Sequence, residues 1–293
     1  MMSKTNVFPF CYFVNMFSPS RIFAGRNSLS WWKLSFLFIF INSCLMIPLT
    51  LQLSAVKTIP LSILMPTVSQ TINRDFAMQM QRHLIINGEL YASPYQQING
   101  NNLIAIDPEN KWKIVGSKYH QKIRKFGNAL VFQRNRMVIS DRNGFGFVVD
   151  YPKNRTLTFS GDKKNLENVI SQLWVSRYRL DFLITISLLC FAALSLSNLF
   201  FTGMITGLLW LTKRSRISDI HSFREAAAIV MMSAGLPSIA ASIVALISFN
   251  FGTLMMIESF GLVLMITLIF WRTHFQDEHK ENKNKLALAG SRR

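Results

Sequence analysis

The sequence predicts an α-helical integral membrane protein with four transmembrane helices and an α+β extracytoplasmic domain inserted between the first and second. Three observations carry this expectation. Half of the residues are hydrophobic and only 16% are charged, a balance that belongs to membrane chains. Four apolar runs come near or exceed the ~20 residues needed to cross bilayer hydrocarbon. Between the first and second run, apolar and polar residues alternate at period two between turn signals, the pattern of half-buried strands.

Residues 1–33 read as a cytoplasmic interfacial segment. Phe8, Phe10, Tyr12, Phe13 and Phe17 mix with Arg21 and Arg26, while Pro9 and Pro19 break any long helix. Such a mixture suits the headgroup level. Trp31, Trp32 and Lys33 anchor the first transmembrane helix, 34–56, which contains Pro48. The charged region before it is longer than that of a cleaved signal peptide, so an uncleaved anchor is expected.

Residues 57–179 form the expected extracytoplasmic α+β domain. Residues 58–82 read as helical, with Ile72, Phe76, Met80 and Leu84 at i, i+4 spacing. Asn87-Gly88 between His83–Ile86 and Glu89–Ala92 is a two-residue hairpin signature. Residues 102–106 make a further strand, and 129–132, 137–140 and 145–151 read as a meander, with Asn143-Gly144 at its second turn. Ser160-Gly161-Asp162 then supplies capping residues before an amphipathic helix in which Leu166, Val169, Ile170, Leu173 and Trp174 recur at helical spacing. No cysteine lies in this domain, so it carries no disulfide.

The second transmembrane helix, 180–212, would reach roughly 48 Å against roughly 30 Å of hydrocarbon. No proline separates it from the amphipathic helix, so one continuous helix is predicted from about residue 165 to about residue 212. A basic cytoplasmic loop, 213–225, leads to transmembrane helix 3 at 226–249. After a tight turn, transmembrane helix 4 occupies 253–271, and 272–293 is a polar cytoplasmic tail. With four spans, Lys4, Arg21, Arg26, Lys33, Lys213, Arg214, Arg216, Arg224 and Arg272 fall on one side. That side is cytoplasmic, which puts the protein in the bacterial plasma membrane with both termini inside.

The net charge of +17 raises nucleic acid as a partner. The charge is split among separate segments and no nucleic-acid motif occurs, so none is expected. There is no phosphate-cradling glycine loop, no G-x-S-x-G, no HExxH and no close Cys/His arrangement. His274 and His279 flank Asp277-Glu278 in a charged tail rather than on a packed face. No catalytic residue, metal or cofactor is therefore predicted.

Three groups of residues remain as candidates. Glu258 is an acidic residue inside a span, where ionisable groups cost several kcal/mol and mark ion paths, ligand sites or helix contacts. Water reaching it from the outer face is the bland alternative. Asn42 and Asn198 are the other intramembrane polar residues, able to bond across helices. Gly203 and Gly207 form one small-residue face; Ala234, Gly235, Pro237 and Ser238 form another. Such faces let backbones approach closely, within this chain or against another membrane protein. Finally, 57–179 holds eighteen Lys/Arg against eight Asp/Glu. Lys111, Lys113, Lys118, Lys122, Arg124 and Lys125 are its densest run, suited to an anionic polymer or lipid or simply to solvent. Tyr91, Tyr95, Trp112 and Tyr119 are aromatics able to stack on sugars or to fill a core.

Short motifs in order along the chain carry a family resemblance. They are Phe17-Ser18-Pro19-Ser20-Arg21-Ile22-Phe23, the strand at 103–107, Ser160-Gly161-Asp162, Ser222-Phe223-Arg224-Glu225-Ala226 and Gly235-Leu236-Pro237. The chain resembles the maltodextrin-utilisation membrane proteins of Gram-positive bacteria, the MalA/YvdJ type. The resemblance implies a non-enzymatic accessory to maltose or maltodextrin uptake, with membrane subunits of a sugar ABC transporter and the lipid bilayer as partners. It transfers no site residue and no oligomeric state. The alternative is an envelope sensor or scaffold whose basic outer domain binds an anionic polymer or lipid.

Overall fold

A computed structural model describes residues 9–214 and 218–276. Lys4, Arg216 and the predicted tail beyond Gln276, with Asp277, Glu278 and His279, lie outside the described residues. The chain divides into two compact units, one of Met1–Ala55 with Leu183–Arg293 and one of Val56–Phe182. In chain order the first helices are α1 (Phe10–Asn15), α2 (Pro19–Ala24) and α3 (Trp31–Ser54). Three short helices follow, α4 (Leu61–Leu64), α5 (Pro66–Thr71) and α6 (Arg74–Met80). The strands are β1 (Leu84–Ile86), β2 (Glu89–Tyr91), β3 (Tyr95–Asn99), β4 (Asn102–Asp107), β5 (Ile114–Val115), β6 (Lys122–Ile123), β7 (Asn128–Gln133), β8 (Arg136–Ser140), β9 (Gly146–Asp150) and β10 (Leu157–Thr158). Then come α7 (Lys163–Leu211), α8 (Phe223–Ile247) and α9 (Phe251–Thr273).

Among the described residues, α3, α7, α8 and α9 are the four helices long and apolar enough to cross a membrane. α7 is unbroken through 177–181, as the missing proline predicts. α3 and α8 continue through Pro48 and Pro237. Ser222 caps α8: its Oγ accepts from Glu225 N at 3.2 Å and donates to Glu225 Oε1 at 3.0 Å. Asn250 starts α9, accepting from Thr253 N at 3.0 Å.

The N-terminal segment is partly packed into the helical unit. Tyr12, Met16, Ile22 and Phe23 are buried in one apolar cluster with Ile229, Val230 and Ile269, while Phe10 and Phe17 stay exposed. The turn at 25–27 places Arg26 Nε 3.5 Å from Glu225 Oε2, with both side chains under a tenth exposed. Arg26 Nη1 also donates to Phe23 O at 3.0 Å, and the guanidinium lies 4.1 Å from the Phe23 ring centroid. A buried carboxylate near α8's first turn requires a countercharge, and Arg26 supplies it.

In the α+β unit, the helical reading of 58–82 resolves into three short pieces. Pro66 begins α5 and Asn73 caps α6 by accepting from Phe76 N at 2.9 Å, so the chain restarts its helix twice. Ile72, Phe76 and Met80 are buried, but Leu84 stands exposed in β1, where the i, i+4 series no longer applies. Asn87 and Gly88 both have positive φ, as the hairpin between β1 and β2 requires.

The main sheet has order β3-β4-β7-β8-β9. Its β7-β8-β9 meander matches expectation, whereas β4 and β7 pair in parallel. A parallel pair needs a long crossover, and 108–127 provides it, carrying the β5–β6 hairpin. One face of the sheet, with Ile104, Ile106, Leu130, Phe132 and Ile139, packs on Val68, Phe76, Leu166, Ile170 and Leu173. The other, with Leu103, Ala105, Ala129 and Val131, packs on Ile123 and Trp112. Cover on both faces explains why β4 and β7 read as continuous apolar runs.

Candidate functional site

Each of the four long helices contributes one polar side chain to a common cluster. Asn42 on α3, Asn198 on α7, Ser238 on α8 and Glu258 on α9 are all buried. Asn198 Nδ2 donates to Asn42 Oδ1 at 2.9 Å and to Glu258 Oε1 at 3.1 Å. Ser238 Oγ donates to the same Glu258 oxygen at 3.5 Å. Asn42 Nδ2 is turned back onto Phe38 O at 2.8 Å, which aims its Oδ1 at Asn198. Glu258 Oε2 has no hydrogen-bond partner among the described residues and is the open position of the cluster.

Local helix geometry places these groups. Glu258 lies in the buried stripe Leu254, Leu262, Met265 and Ile269 of α9. Asn42 lies in the stripe Leu34, Leu37, Ile41 and Leu45 of α3. Sequence reasoning named Asn42, Asn198 and Glu258 singly and filed Ser238 under packing. The signal for joining them was a polar residue set among the buried apolar residues of a long helix.

The two small-residue faces have different surroundings. A β-carbon at Gly235 would run into the Tyr12 hydroxyl, whose Oη donates to Met231 O at 3.3 Å. One at Gly261 would lie 2.6 Å from Pro237 Cβ. Ala234 and Pro237 are likewise buried within the helical unit. At Gly203 and Gly207 a β-carbon would meet no heavy atom within 4 Å. Gly203 lines an apolar groove of about 360 Å³ bounded by Leu34, Phe38, Ile39, Leu199 and Met231. Gly261, the close-approach glycine of α9, was not singled out from the sequence.

All six cations of the basic run are exposed, and they stand on and beside the β5–β6 hairpin. Ile123, fully buried, pins the hairpin to the sheet. Lys111 Nζ pairs with Glu109 at 2.8 Å, and that hydrogen bond pushes the amine's pKa upward. Lys118 Nζ pairs with Asp181 at 3.2 Å. Lys113, Lys122, Arg124 and Lys125 have no ion pair among the described residues. Of the aromatics, Tyr95 packs beside Phe76, Trp112 stands edge-on to Phe126, and Tyr119 sits against Phe147 with its hydroxyl on Asp181. Tyr91 alone of the four faces solvent. Among the described residues no three His, Cys, Asp or Glu side chains gather as a metal-holding set.

Residues 16–272 match the family described as "Protein of unknown function (DUF1189)". The chain is 34% identical over 255 residues to the "Putative maltodextrin utilization protein YvdJ" of Bacillus subtilis, covering 86% of this chain and 85% of that one. It is 26% identical over 274 residues to the "Maltodextrose utilization protein MalA" of Streptococcus pneumoniae, covering 92% and 97%. No solved structure matches.

Proposed function

We propose that this chain, which belongs to the DUF1189 family, serves maltodextrin utilisation as a non-enzymatic accessory in the bacterial plasma membrane. The observation that carries this is the near full-length similarity to two relatives whose names state maltodextrin or maltodextrose utilisation. The four long helices cross the bilayer with both termini cytoplasmic, and the α+β unit stands outside. Membrane subunits of a sugar ABC transporter dock on the α7 face at Gly203 and Gly207. Support for that face comes from its geometry: a β-carbon at either glycine would meet no heavy atom within 4 Å among the described residues, and Gly203 lines an apolar groove, as close helix approach requires.

Deleting the gene should slow growth on maltodextrin and leave growth on glucose unchanged. Gly203→Leu with Gly207→Leu should abolish co-purification of transporter subunits from gently solubilised membranes while the protein still accumulates. Undiminished co-purification removes the α7 face from the proposal.

A second reading, an envelope sensor or scaffold, is favoured by the four unpaired cations on one hairpin. Binding of the full-length protein to vesicles rich in anionic lipid should then fall steeply with salt. Lys113→Gln with Lys122→Gln, Arg124→Gln and Lys125→Gln should abolish it. Salt-independent binding, or none, removes this reading.

A further inference from the structure

The α+β unit holds a cleft of about 350 Å³ that none of the sequence motifs marks. Six amide side chains line it: Gln70 on α5, Asn73 at the start of α6, Gln97 and Asn99 on β3, Asn102 opening β4 and Asn128 opening β7. Thr67 and Thr71 add hydroxyls, Ile104 an apolar patch, and Arg142 the one charged side chain of the lining. The neighbouring carboxylate is engaged elsewhere. Asp141 accepts from Thr67 N at 3.2 Å and from Asn143 N at 2.8 Å.

Part of this amide set is locked and part is left open. Asn128 is almost fully buried. Its Oδ1 accepts from Thr67 Oγ1 at 2.6 Å and Arg142 N at 2.7 Å, and its Nδ2 donates to Asn102 Oδ1 at 2.7 Å. Asn73 Nδ2 donates to Gln97 Oε1 at 3.1 Å, while its Oδ1 caps α6. These bonds fix the planes of Asn102 and Gln97 and leave Asn102 Nδ2 and Gln97 Nε2 without an acceptor among the described residues. Neither end of the Gln70 or Asn99 side chain is engaged, nor is the Arg142 guanidinium. Amides serving only to close the end of a core would bond one another, as Asn128 and Asn102 do. Here open donors and acceptors converge on one concavity above a braced second row, the arrangement of a polar recognition site.

The lining also selects the ligand. An amide presents donors and acceptors in one plane, matching hydroxyl groups that both donate and accept. An apolar ligand would leave these amides unpaired, and a polyanion would find a single guanidinium. The unit's densest cationic run stands instead on the β5–β6 hairpin. We infer that this cleft binds an uncharged saccharide, its hydroxyls held by Gln70, Gln97, Asn99 and Asn102. The inference deepens the maltodextrin reading and rests on it for which sugar is bound; the preference for a neutral polyol follows from the lining itself.

The test is calorimetric titration of the full-length protein in lipid nanodiscs, because maltoside detergents present the same sugar. Maltotriose, cellotriose and inorganic phosphate are the probes. Gln70→Ala with Asn99→Ala removes two exposed side chains that make no internal bond, so folding is preserved. With two hydrogen-bonding side chains lost, saccharide binding should weaken about tenfold. Lys122→Gln with Lys125→Gln should leave it unchanged. Failure of both trisaccharides to bind, binding unaffected by the double alanine variant, or displacement by phosphate overturns the inference. Growth separates the two readings. If neither trisaccharide binds while deletion still slows growth on maltodextrin, the cleft is refuted and the maltodextrin role stands. If the deletion strain grows normally while cellotriose binds through Gln70 and Asn99, the maltodextrin role is refuted and the saccharide cleft stands.

Discussion

The two units arrange polar groups by opposite rules. In the helical unit, Asn42, Asn198, Ser238 and Glu258 are drawn from four helices into one cluster, with a single carboxylate oxygen left open. In the α+β unit, six amides from α5, the start of α6, β3, β4 and β7 line one cleft, and several donors stay open together. In the proposed bilayer setting the helices have no water to complete a missing bond, so polar residues are few and pair across helices. A domain in water hydrates an open amide until a ligand replaces that water. Open polar groups therefore mean different things: Glu258 Oε2, like the Ser187 and Ser195 hydroxyls on α7, is an isolated buried atom without a partner among the described residues, while the open donors of the cleft line one concavity.

Four tests probe this contrast, from the largest expected effect to the smallest. Phe132→Ala empties the sheet core of the α+β unit and should cost about 3–5 kcal/mol, seen as lost amide-exchange protection in β4, β7 and β8. Arg26→Met leaves Glu225 buried without its countercharge and should destabilise the helical unit by about 3 kcal/mol in a denaturation assay in micelles. Adding Glu225→Gln should recover part of that loss, and no recovery would mean the pair is not coupled. Asn198→Leu removes the donor shared by Asn42 and Glu258 and should cost about 2 kcal/mol, whereas Glu258→Gln, which keeps an acceptor oxygen, should cost less than about 1 kcal/mol. Gly261→Ala forces a methyl against Pro237 and should cost about 1–2 kcal/mol. Gly203→Ala, with nothing to meet, should stay within about 0.5 kcal/mol. Equal effects at the two glycines would erase the distinction between an internal and an outward face.

Legibility in the sequence also differed between the units. Apolar runs, the Asn87-Gly88 hairpin and the unbroken α7 are local signals, and all could be read directly. The edge strand β3 was missed because Gln96, Gln97 and Asn99 interrupt any apolar alternation. The parallel β4–β7 pair was missed because the hairpin between those strands reads as a basic loop. Asn42, Asn198 and Glu258 were each visible as polar residues in apolar helices. Their meeting was not, since 156 residues separate Asn42 from Asn198 and 60 separate Asn198 from Glu258. Burial of Tyr12, Ile22 and Phe23 was hidden as well, because an aromatic, basic segment has the same composition on a membrane surface as in a docked cap.

The sequence by itself determined the number and extent of the long apolar helices, the place of the α+β insertion and the continuity of α7. Those properties follow from hydrophobic period, run length and the positions of proline and glycine, which act over a few residues. Only the tertiary structure decided that one side chain from each long helix shares a polar cluster and that Gly235 and Gly261 face inward while Gly203 and Gly207 face out. It also decided that six scattered amides line one cleft. Those outcomes depend on which distant backbones come within hydrogen-bonding or van der Waals reach, and that is set by packing across the whole chain.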